Sequence, residues 1–278
     1  MERAYHTNVE ILLNAALSGL EIIQKNLYTQ VDARKKDDGS LVSSTDLLAN
    51  EEIISILEEA FPGVPIHSEE KPYSGSLKDG AIIVVDPLDG TTNFTRAISL
   101  CSVSIALLEY GDPKIGVVTP LAGEMYFAEK GKGSFSMHSP GDIGYAKRLQ
   151  CAKRPLSDAI LSVSADFNDQ LSREIWWKWM ERLKPPTCYR LRILESAAIE
   201  LCWVASGKID GYLHPTDKPW DTAAGALISA EAGVQLKGPE LQQWSIIQEG
   251  IVAASESIIK SIEEVLNEGR RIEDRDKK

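Results

Sequence analysis

The sequence contains little cysteine and no long apolar run, and both absences limit what the protein can be. Four of its 278 residues are cysteine. They lie far apart, in apolar or mixed surroundings, at Cys101, Cys151, Cys188 and Cys202. This scatter argues against a disulfide framework and a zinc site, and it predicts reduced packing residues. No apolar stretch approaches the ~20 residues of a membrane span, and the polar start lacks a signal-peptide core, so we expect a cytoplasmic protein with no membrane partner.

Positive charge is also scarce. The chain has 30 lysine and arginine residues against 41 aspartate and glutamate residues, which gives a formal net charge of −11. This surplus of acid argues against a nucleic acid polymer as a partner. The sequence has neither a Walker motif nor a complete Gly-x-Gly-x-x-Gly fingerprint, so it predicts no nucleotide site. A phosphate ligand would need bound divalent cations to reverse the local sign of the charge.

The most informative segment reads Asp-Pro-Leu-Asp-Gly-Thr-Thr-Asn at residues 86–93 and directly follows an apolar run. The run predicts a buried strand that delivers Asp86 and Asp89 to its carboxyl end. Pro87 fixes one φ angle between the two acids, and Gly90 allows a tight turn in which amide hydrogens can approach an anion. Carboxylates followed at once by such a turn suit a magnesium ion held beside a phosphate.

Three further acidic sites accompany this segment, and each also has a simpler explanation. Glu69 lies in a Ser-Glu-Glu segment that is equally typical of a solvated loop. Asp46 opens a helical pattern, where an acid in the first turn favours the helix dipole. Asp221 opens an alanine-rich helix and could serve as its cap. An isolated Asp-x-x-Asp-Gly is itself more often a plain turn, but four such sites together favour a shared function.

Taken together, these sites resemble the inositol monophosphatase family of magnesium-dependent, lithium-sensitive phosphatases. The matching segments lie at residues 86–94, 68–70, 44–46 and 220–225, and residues 192–202 resemble the family's Arg-x-x-Gly-Ser-Ala-Ala segment. The resemblance covers roughly residues 5–265 in the expected order. The first motif and the Trp-Asp motif are highly specific when they occur together.

The resemblance implies an α/β fold, a layered α-β-α-β-α sandwich of the sugar phosphatase type. The alternation of predicted strands and helices in the second half of the chain agrees with a layered arrangement. A Gly- and Ser-rich stretch at 139–150 suggests a division into two subdomains. We expect an α+β subdomain over residues 1–142 with most metal ligands, and an α/β subdomain over residues 143–278 with the substrate contacts. The resemblance also implies a homodimer.

The resemblance further implies a site for two or three Mg²⁺ ions. Glu69, Asp86 and the backbone carbonyl of Leu88 would hold the first ion. Asp86, Asp89 and Asp221 would hold the second, and a third, weaker ion would sit near Glu69. Asp89 and Asp221 would also face the substrate. Magnesium prefers oxygen ligands and takes only a few protein carboxylates, which agrees with this set.

The same resemblance assigns the catalytic and phosphate-binding residues. Thr91 and Asp46 would orient and deprotonate the attacking water, and Glu69 is counted with them as catalytic. The amides of Gly90, Thr91 and Thr92 would bind the phosphate, aided by a helix start.

The substrate side departs from the family pattern at two positions. His214 stands where animal-type members have the acidic residue that contacts inositol hydroxyls, and Glu195 replaces the glycine of the Arg-x-x-Gly-Ser segment. Because magnesium prefers oxygen, we interpret His214 as a pocket or packing residue. Arg192, together with Arg190, would meet a second phosphate or form an ion pair with Glu195. These departures predict a permissive enzyme.

The leading hypothesis is a phosphomonoesterase that uses direct attack of a metal-activated water. Its substrate would be a small phosphorylated polyol or sugar: inositol 1-phosphate and, if an arginine reaches the pocket, fructose 1,6-bisphosphate. One alternative is a phosphatase of the same family for 3′-phosphoadenosine 5′-phosphate or histidinol phosphate. Another is a catalytically inactive binding homologue, which should have lost a metal carboxylate or Thr91; none is missing.

Overall fold

The computed structural model of the protein describes residues 7–28, 32–36 and 39–276. Within them the helices are α1 (Thr7–Asn26), α2 (Ser44–Ala60), α3 (Thr91–Phe94), α4 (Gln170–Leu183), α5 (Ala197–Ala205), α6 (Pro219–Glu231) and α7 (Glu256–Asp276). The first strands are β1 (Ala33–Lys35), β2 (Leu41–Ser43), β3 (Ile66–Ser68), β4 (Ala81–Asp89), β5 (Ser102–Glu109), β6 (Asp112–Pro120), β7 (Met125–Glu129), β8 (Gly133–Met137) and β9 (Lys147–Arg148). The later strands are β10 (Ile160–Val163), β11 (Arg190–Arg192), β12 (Gly211–His214), β13 (Gln235–Lys237) and β14 (Ile251–Ala254).

The strands of the described residues form a short hairpin, β1-β2, and two large sheets. The larger sheet has the order β3-β4-β5-β6-β7-β8-β9 and is antiparallel except for the β3–β4 pair. The smaller sheet has the order β11-β10-β12-β14-β13, with parallel pairs on both sides of β10. The expected boundary between subdomains lies after residue 142, but strand β9 follows that residue and still belongs to the larger sheet. The topology therefore does not establish this boundary, which stays a prediction.

The helices cover both faces of each sheet, since each carries apolar side chains that must be buried. Helices α1 and α2 pack on each other and on the outer face of the larger sheet. Helices α5 and α6 lie between the two sheets. Helices α4 and α7 cover the outer face of the smaller sheet. This order of layers confirms the predicted α-β-α-β-α sandwich.

Small residues let α6 approach the larger sheet closely, and this sets the position of Asp221 in its first turn. A Cβ atom on Gly116 of β6 would lie 2.9 Å from Cα of Ala224 in α6. A Cβ atom on Gly225 would lie 2.7 Å from Cβ of Leu201 in α5. Any larger residue would push the helix away from the sheet. None of the helices in the described residues is both long and apolar enough to cross a bilayer.

Candidate active site

A cavity of about 400 Å³ opens where the two halves of the chain meet, at the carboxyl end of β4. Its lining from the first half includes Glu69, Asp86, Leu88, Asp89, Gly90, Thr91 and Thr92. Its lining from the second half includes Ser164, Glu195, Ser196, Tyr212, His214, Asp217, Lys218 and Asp221. All of the residues predicted for the site line this cavity except Asp46 and Arg192.

The end of β4 is irregular, and the irregularity brings two acids to one cavity. Residues three apart on a regular strand point to opposite faces. The pairing of β4 with β5 shifts register between Asp86 and Asp89, as at a β-bulge. An extra residue in one strand turns the side chains of Asp86 and Asp89 to the same side. The amide of Leu88 donates to Asp86 Oδ1 at 3.0 Å, which fixes the bulge. Asp89 accepts from the hydroxyls of Ser102, at 3.1 Å, and Ser196.

Gly90 follows in the left-handed region, with φ of 87°, and leads into the single turn of α3. A Cβ atom there would lie 2.7 Å from the carbonyl oxygen of Leu100, so both the dihedral angle and the space require glycine. The side chain of Asn93 donates to the carbonyl oxygens of Leu100 and Leu194, each at 2.8 Å. The Gly-Thr-Thr turn is therefore tied to both halves of the chain.

The predicted Asp46–Thr91 pair is formed. Thr91 Oγ1 lies 2.9 Å from Asp46 Oδ1 and 3.1 Å from the carbonyl oxygen of Leu88. The other oxygen of Asp46, Oδ2, accepts from the amide of Ser43 at 2.9 Å and from its hydroxyl at 2.5 Å, and the Ser43 hydroxyl in turn caps α2. Asp46 is buried behind Thr91, so Thr91 alone of the pair reaches the cavity.

Lys36 is a site residue that the sequence did not reveal. Its ammonium lies 2.7 Å from Glu69 Oε1 and 2.6 Å from Glu70 Oε1. Burial alone would lower the pKa of Lys36, but Glu69 and Glu70 raise it above its ordinary value. A lysine in a polar turn, more than thirty residues from its partners, gives no local signal. Its position shows that the carboxylates of this cavity attract a cation.

The acids of the cavity have raised pKa values because they are buried together. Burial raises the pKa of Glu69 to about 7, against the opposing effect of Lys36. Burial raises the pKa of Asp89 to about 6, although hydrogen bonds from Ser196 and Ser102 oppose the change. The pKa values of Asp86 and Asp221 are raised well above the ordinary value by burial and by neighbouring carboxylates. Such a cluster favours cations.

The donors of the cavity fit magnesium. They are oxygens, Asp86 and Asp89 are buried, Glu69 and Asp221 are partly buried, and Glu69 already holds an ammonium group. No group of three or more histidine, cysteine, aspartate or glutamate side chains in the described part of the chain is arranged so that it could hold a metal ion. Magnesium keeps several waters in its coordination shell, so it does not need a complete set of protein ligands in place. The arrangement suits ions that are partly hydrated.

The predicted substrate residues separate into two groups. Glu195 and His214 line the cavity. Glu195 has a φ of 59°, in the left-handed region that glycine, the residue expected here from the family pattern, adopts most readily. Arg192 is exposed and donates to the carbonyl of Leu191, while the guanidinium of Arg190 lies over the ring of Tyr189. Among the described residues, neither arginine lines the cavity or pairs with Glu195.

The comparisons with known proteins agree with this geometry. The family model described as "Inositol monophosphatase family" matches residues 5–271. The chain is 30% identical over 230 residues to an inositol-1-monophosphatase of Caulobacter vibrioides, covering 82% of this chain and 87% of that protein. It is 32% identical over 260 residues to the Nus factor SuhB of Pasteurella multocida, covering 91% and 93%.

A solved structure gives the same result at the level of the fold. The structure of the extragenic suppressor protein suhB from Bartonella henselae superposes with a TM-score of 0.83 at 26% identity, covering 93% of this chain and 98% of that chain. The family match extends over nearly the whole sequence and includes both halves of the cavity. The chain therefore belongs to the inositol monophosphatase family and is a phosphatase.

Proposed function

We propose that the protein is a Mg²⁺-dependent phosphomonoesterase for a small phosphorylated polyol, with inositol 1-phosphate as the leading substrate. The observation that carries the proposal is the hydroxyl–carboxylate pair of Thr91 and Asp46, with Thr91 lining the cavity that the buried carboxylates share. The name of the Caulobacter vibrioides relative, inositol-1-monophosphatase, supports this choice of substrate.

Four carboxylates and one carbonyl would hold the ions. Glu69, Asp86 and the carbonyl of Leu88 would bind the first ion, and Asp86, Asp89 and Asp221 the second. When bound, Mg²⁺ lowers the pKa of water and offsets the charge of the phosphoryl group. Because Lys36 already neutralises part of the charge on Glu69, its ammonium must give way to an ion there or share Glu69 with it.

The chain's own groups would handle the proton of the attacking water. Thr91 Oγ1 would accept a hydrogen bond from that water and donate its own proton towards Asp46 Oδ1, 2.9 Å away. Burial raises the pKa of Asp46, which makes its carboxylate a better proton acceptor. The amides of Gly90, Thr91 and Thr92 would hold the phosphoryl oxygens while the alcohol leaves.

Two other substrate hypotheses have less support. The hypothesis that fructose 1,6-bisphosphate is a substrate requires an arginine in the pocket for its second phosphate, and Arg192 lies outside the described cavity. The 3′-phosphoadenosine 5′-phosphate and histidinol phosphate alternatives rest on no contact in the described residues. An inactive homologue would need a lost acid or a lost Thr91, whereas the full set is present.

The proposal is tested by phosphate release from inositol 1-phosphate, fructose 1,6-bisphosphate, 3′-phosphoadenosine 5′-phosphate and histidinol phosphate. We expect the first to be the preferred substrate, with activity that requires Mg²⁺ and is inhibited by millimolar Li⁺. Full activity after exhaustive chelation would contradict the metal mechanism. A larger kcat/KM for another member of the panel would contradict the choice of substrate. Asp210→Asn, a change at a buried acid outside the cavity, is the matched control.

The homodimer rests on the family resemblance alone, the cytoplasmic location rests on the sequence pattern, and both stay predictions. Light scattering after size-exclusion chromatography at micromolar concentration tests the first. A monomer mass would contradict it.

A further inference from the structure

The wall of the cavity formed by β12 and the turn after it carries a second acid, Asp217, that the sequence did not single out. Its side chain is 7% exposed. The hydroxyl of Tyr212 donates to Asp217 Oδ2 at 2.7 Å. His214 Nδ1 lies 3.0 Å from Asp217 Oδ1. The turn through Pro215 and Thr216 therefore brings a carboxyl group beside position 214.

The proton between His214 and Asp217 belongs to the carboxyl group. The amide of Thr216 donates to the same Nδ1 atom at 3.2 Å, so Nδ1 carries no hydrogen, and its single lone pair is shared by this amide and by the proton on Asp217 Oδ1. Burial raises the pKa of Asp217 to about 8 and lowers that of His214 to about 3, in agreement with the geometry. Oδ2 then has one donor, Tyr212, and one lone pair free.

A polar group at the end of the neighbouring strand β10, Ser164, lacks a hydrogen-bond partner among the described residues. Ser164 lines the cavity and is 4% exposed, and its Oγ has no hydrogen-bond partner among the described residues. Buried hydroxyl groups are rarely left unpaired, so an unpaired one beside a cavity indicates a ligand or water that completes it. Asp217 and Ser164 thus offer one free acceptor and one hydroxyl, the complement of a hydroxylated ring.

We propose that Asp217, held by Tyr212 and His214, hydrogen-bonds a hydroxyl group on the far side of a phosphorylated polyol and makes the enzyme prefer such substrates. Asp217 would take over the task of the acidic residue that is expected at position 214. This inference rests on the proposed phosphatase function and deepens it. Asp217 would be a binding residue for the substrate, whereas the chemistry at phosphorus would belong to Thr91, Asp46 and the four proposed metal carboxylates.

The same wall offers no free positive charge for a second phosphate. Lys218 also lines the cavity, but its ammonium pairs with Glu249 at 2.5 Å. His214 stays neutral because burial lowers its pKa to about 3. We therefore expect the preferred substrate to be a monophosphate whose far side is uncharged and bears hydroxyl groups, a narrower specificity than the permissive one predicted from the sequence.

The test compares two phosphate monoesters: inositol 1-phosphate, which has ring hydroxyls, and phenyl phosphate, which has none. The readout is the ratio of their kcat/KM values. We expect Asp217→Ala to lower this ratio about tenfold, mainly through KM for inositol 1-phosphate, since one hydrogen bond is lost. Asp217→Asn keeps a carbonyl oxygen and should lower it less. An unchanged ratio in folded Asp217→Ala would overturn the inference.

Two further variants separate this role from a structural one. Asp210→Asn changes a buried acid that bonds Arg154 and the amide of Ile160 outside the cavity, so the ratio should stay within about twofold of the wild type. If Asp217→Ala does not fold, the test uses Tyr212→Phe, which removes the donor that orients Asp217. This variant should lower the ratio by a smaller factor than Asp217→Ala. An unchanged ratio in Tyr212→Phe would overturn the inference. Wild-type enzyme that hydrolyses neither ester would overturn the proposed function, whereas hydrolysis of both at equal kcat/KM would overturn the inference alone.

Discussion

Replacing Asp86 by asparagine should make the metal-free protein more stable at neutral pH and at the same time abolish turnover. Asp86 is 1% exposed, and the charges that raise its pKa belong to Glu69, Asp89 and Asp221. Asparagine has nearly the same shape and keeps an oxygen for the amide of Leu88. It removes one negative charge from a buried cluster of like charges, where ionisation is unfavourable.

The magnitude follows from the neighbouring acids. Burial raises the pKa of Glu69 from 4.5 to about 7 and that of Asp89 from 3.8 to about 6. One pKa unit corresponds to about 1.4 kcal/mol, so ionising either group in the fold costs about 3 kcal/mol. A folded pKa above the unfolded value means that stability is highest below about pH 4 and falls as the pH rises through the folded pKa. Because the cluster shares this cost, we expect Asp86→Asn to raise the free energy of unfolding by about 1–3 kcal/mol at pH 8.

Thermal unfolding in EDTA and in Mg²⁺, at pH 5 and pH 8, measures the effect. In EDTA at pH 8 the variant should gain about 2–5 °C in Tm, since an unfolding entropy of about 2.1 cal/mol/K per residue makes 1 kcal/mol worth about 1.7 °C in a chain of 278 residues. At pH 5 the gain should shrink, because Glu69 and Asp89, with pKa values of about 7 and about 6, then lose most of the negative charge that repels Asp86. Saturating Mg²⁺ should reverse the order, as a ligand at 100 Kd stabilises the wild type by about 2.7 kcal/mol.

A lower Tm for Asp86→Asn than for the wild type in EDTA at pH 8 would refute the reasoning. Asp210→Asn is the control, because Asp210 is a buried acid that pairs with Arg154 and accepts from Ile160. It should lower Tm in EDTA and in Mg²⁺ alike. If the order of the Tm values of Asp210→Asn and the wild type also reversed between EDTA and Mg²⁺, the reversal seen for Asp86→Asn would not report on the carboxylate cluster.

Three further predictions concern the Gly-Thr-Thr turn and position 195 of the cavity wall. Thr91→Ala should lower kcat about 10²–10⁴-fold with little change in KM, because the mutation removes the hydroxyl that contacts Asp46 and keeps the amide; a change confined to KM in steady-state assays would refute this. Gly90→Ala should destabilise the protein by more than about 1 kcal/mol in urea unfolding, because its Cβ would lie 2.7 Å from the carbonyl of Leu100; unchanged stability would contradict it. Glu195→Gly should relieve the positive φ and raise stability by up to about 1 kcal/mol, and a large loss in the same assay would show that Glu195 has a partner role.

Much of the fold and of the carboxylate side of the cavity is predictable from the sequence because its signals are local. The apolar run of β4, the turn at Gly90 and the first turns of α2 and α6 are each contiguous segments. Their acids meet because the chain places the ends of these elements at one cavity. The division of roles between Asp46 and Thr91 follows from the resemblance, and the contact between them agrees with it.

The substrate side is less predictable, for a physical reason. Asp217, Ser164 and Lys36 gain their roles from contacts with distant or irregular parts of the chain, and single polar residues leave no periodic pattern. The arginines illustrate the opposite error. A basic residue near a motif suggests a phosphate contact, yet Arg192 lies at the edge of the smaller sheet, with its guanidinium on the carbonyl of Leu191.

The simple explanations of two acids are correct, and they leave room for the proposed functional roles. Asp46 Oδ2 completes the capping box of α2 with Ser43, while Oδ1 contacts Thr91. Asp221 Oδ2 accepts from the amide of Lys218 at 2.7 Å in the first turn of α6, which leaves Oδ1 for an ion. In each case one oxygen is fixed by the backbone of a helix start, so the other has a defined direction. A capping role is therefore no evidence against a catalytic one, since it supplies the rigid support that a site on a helix needs.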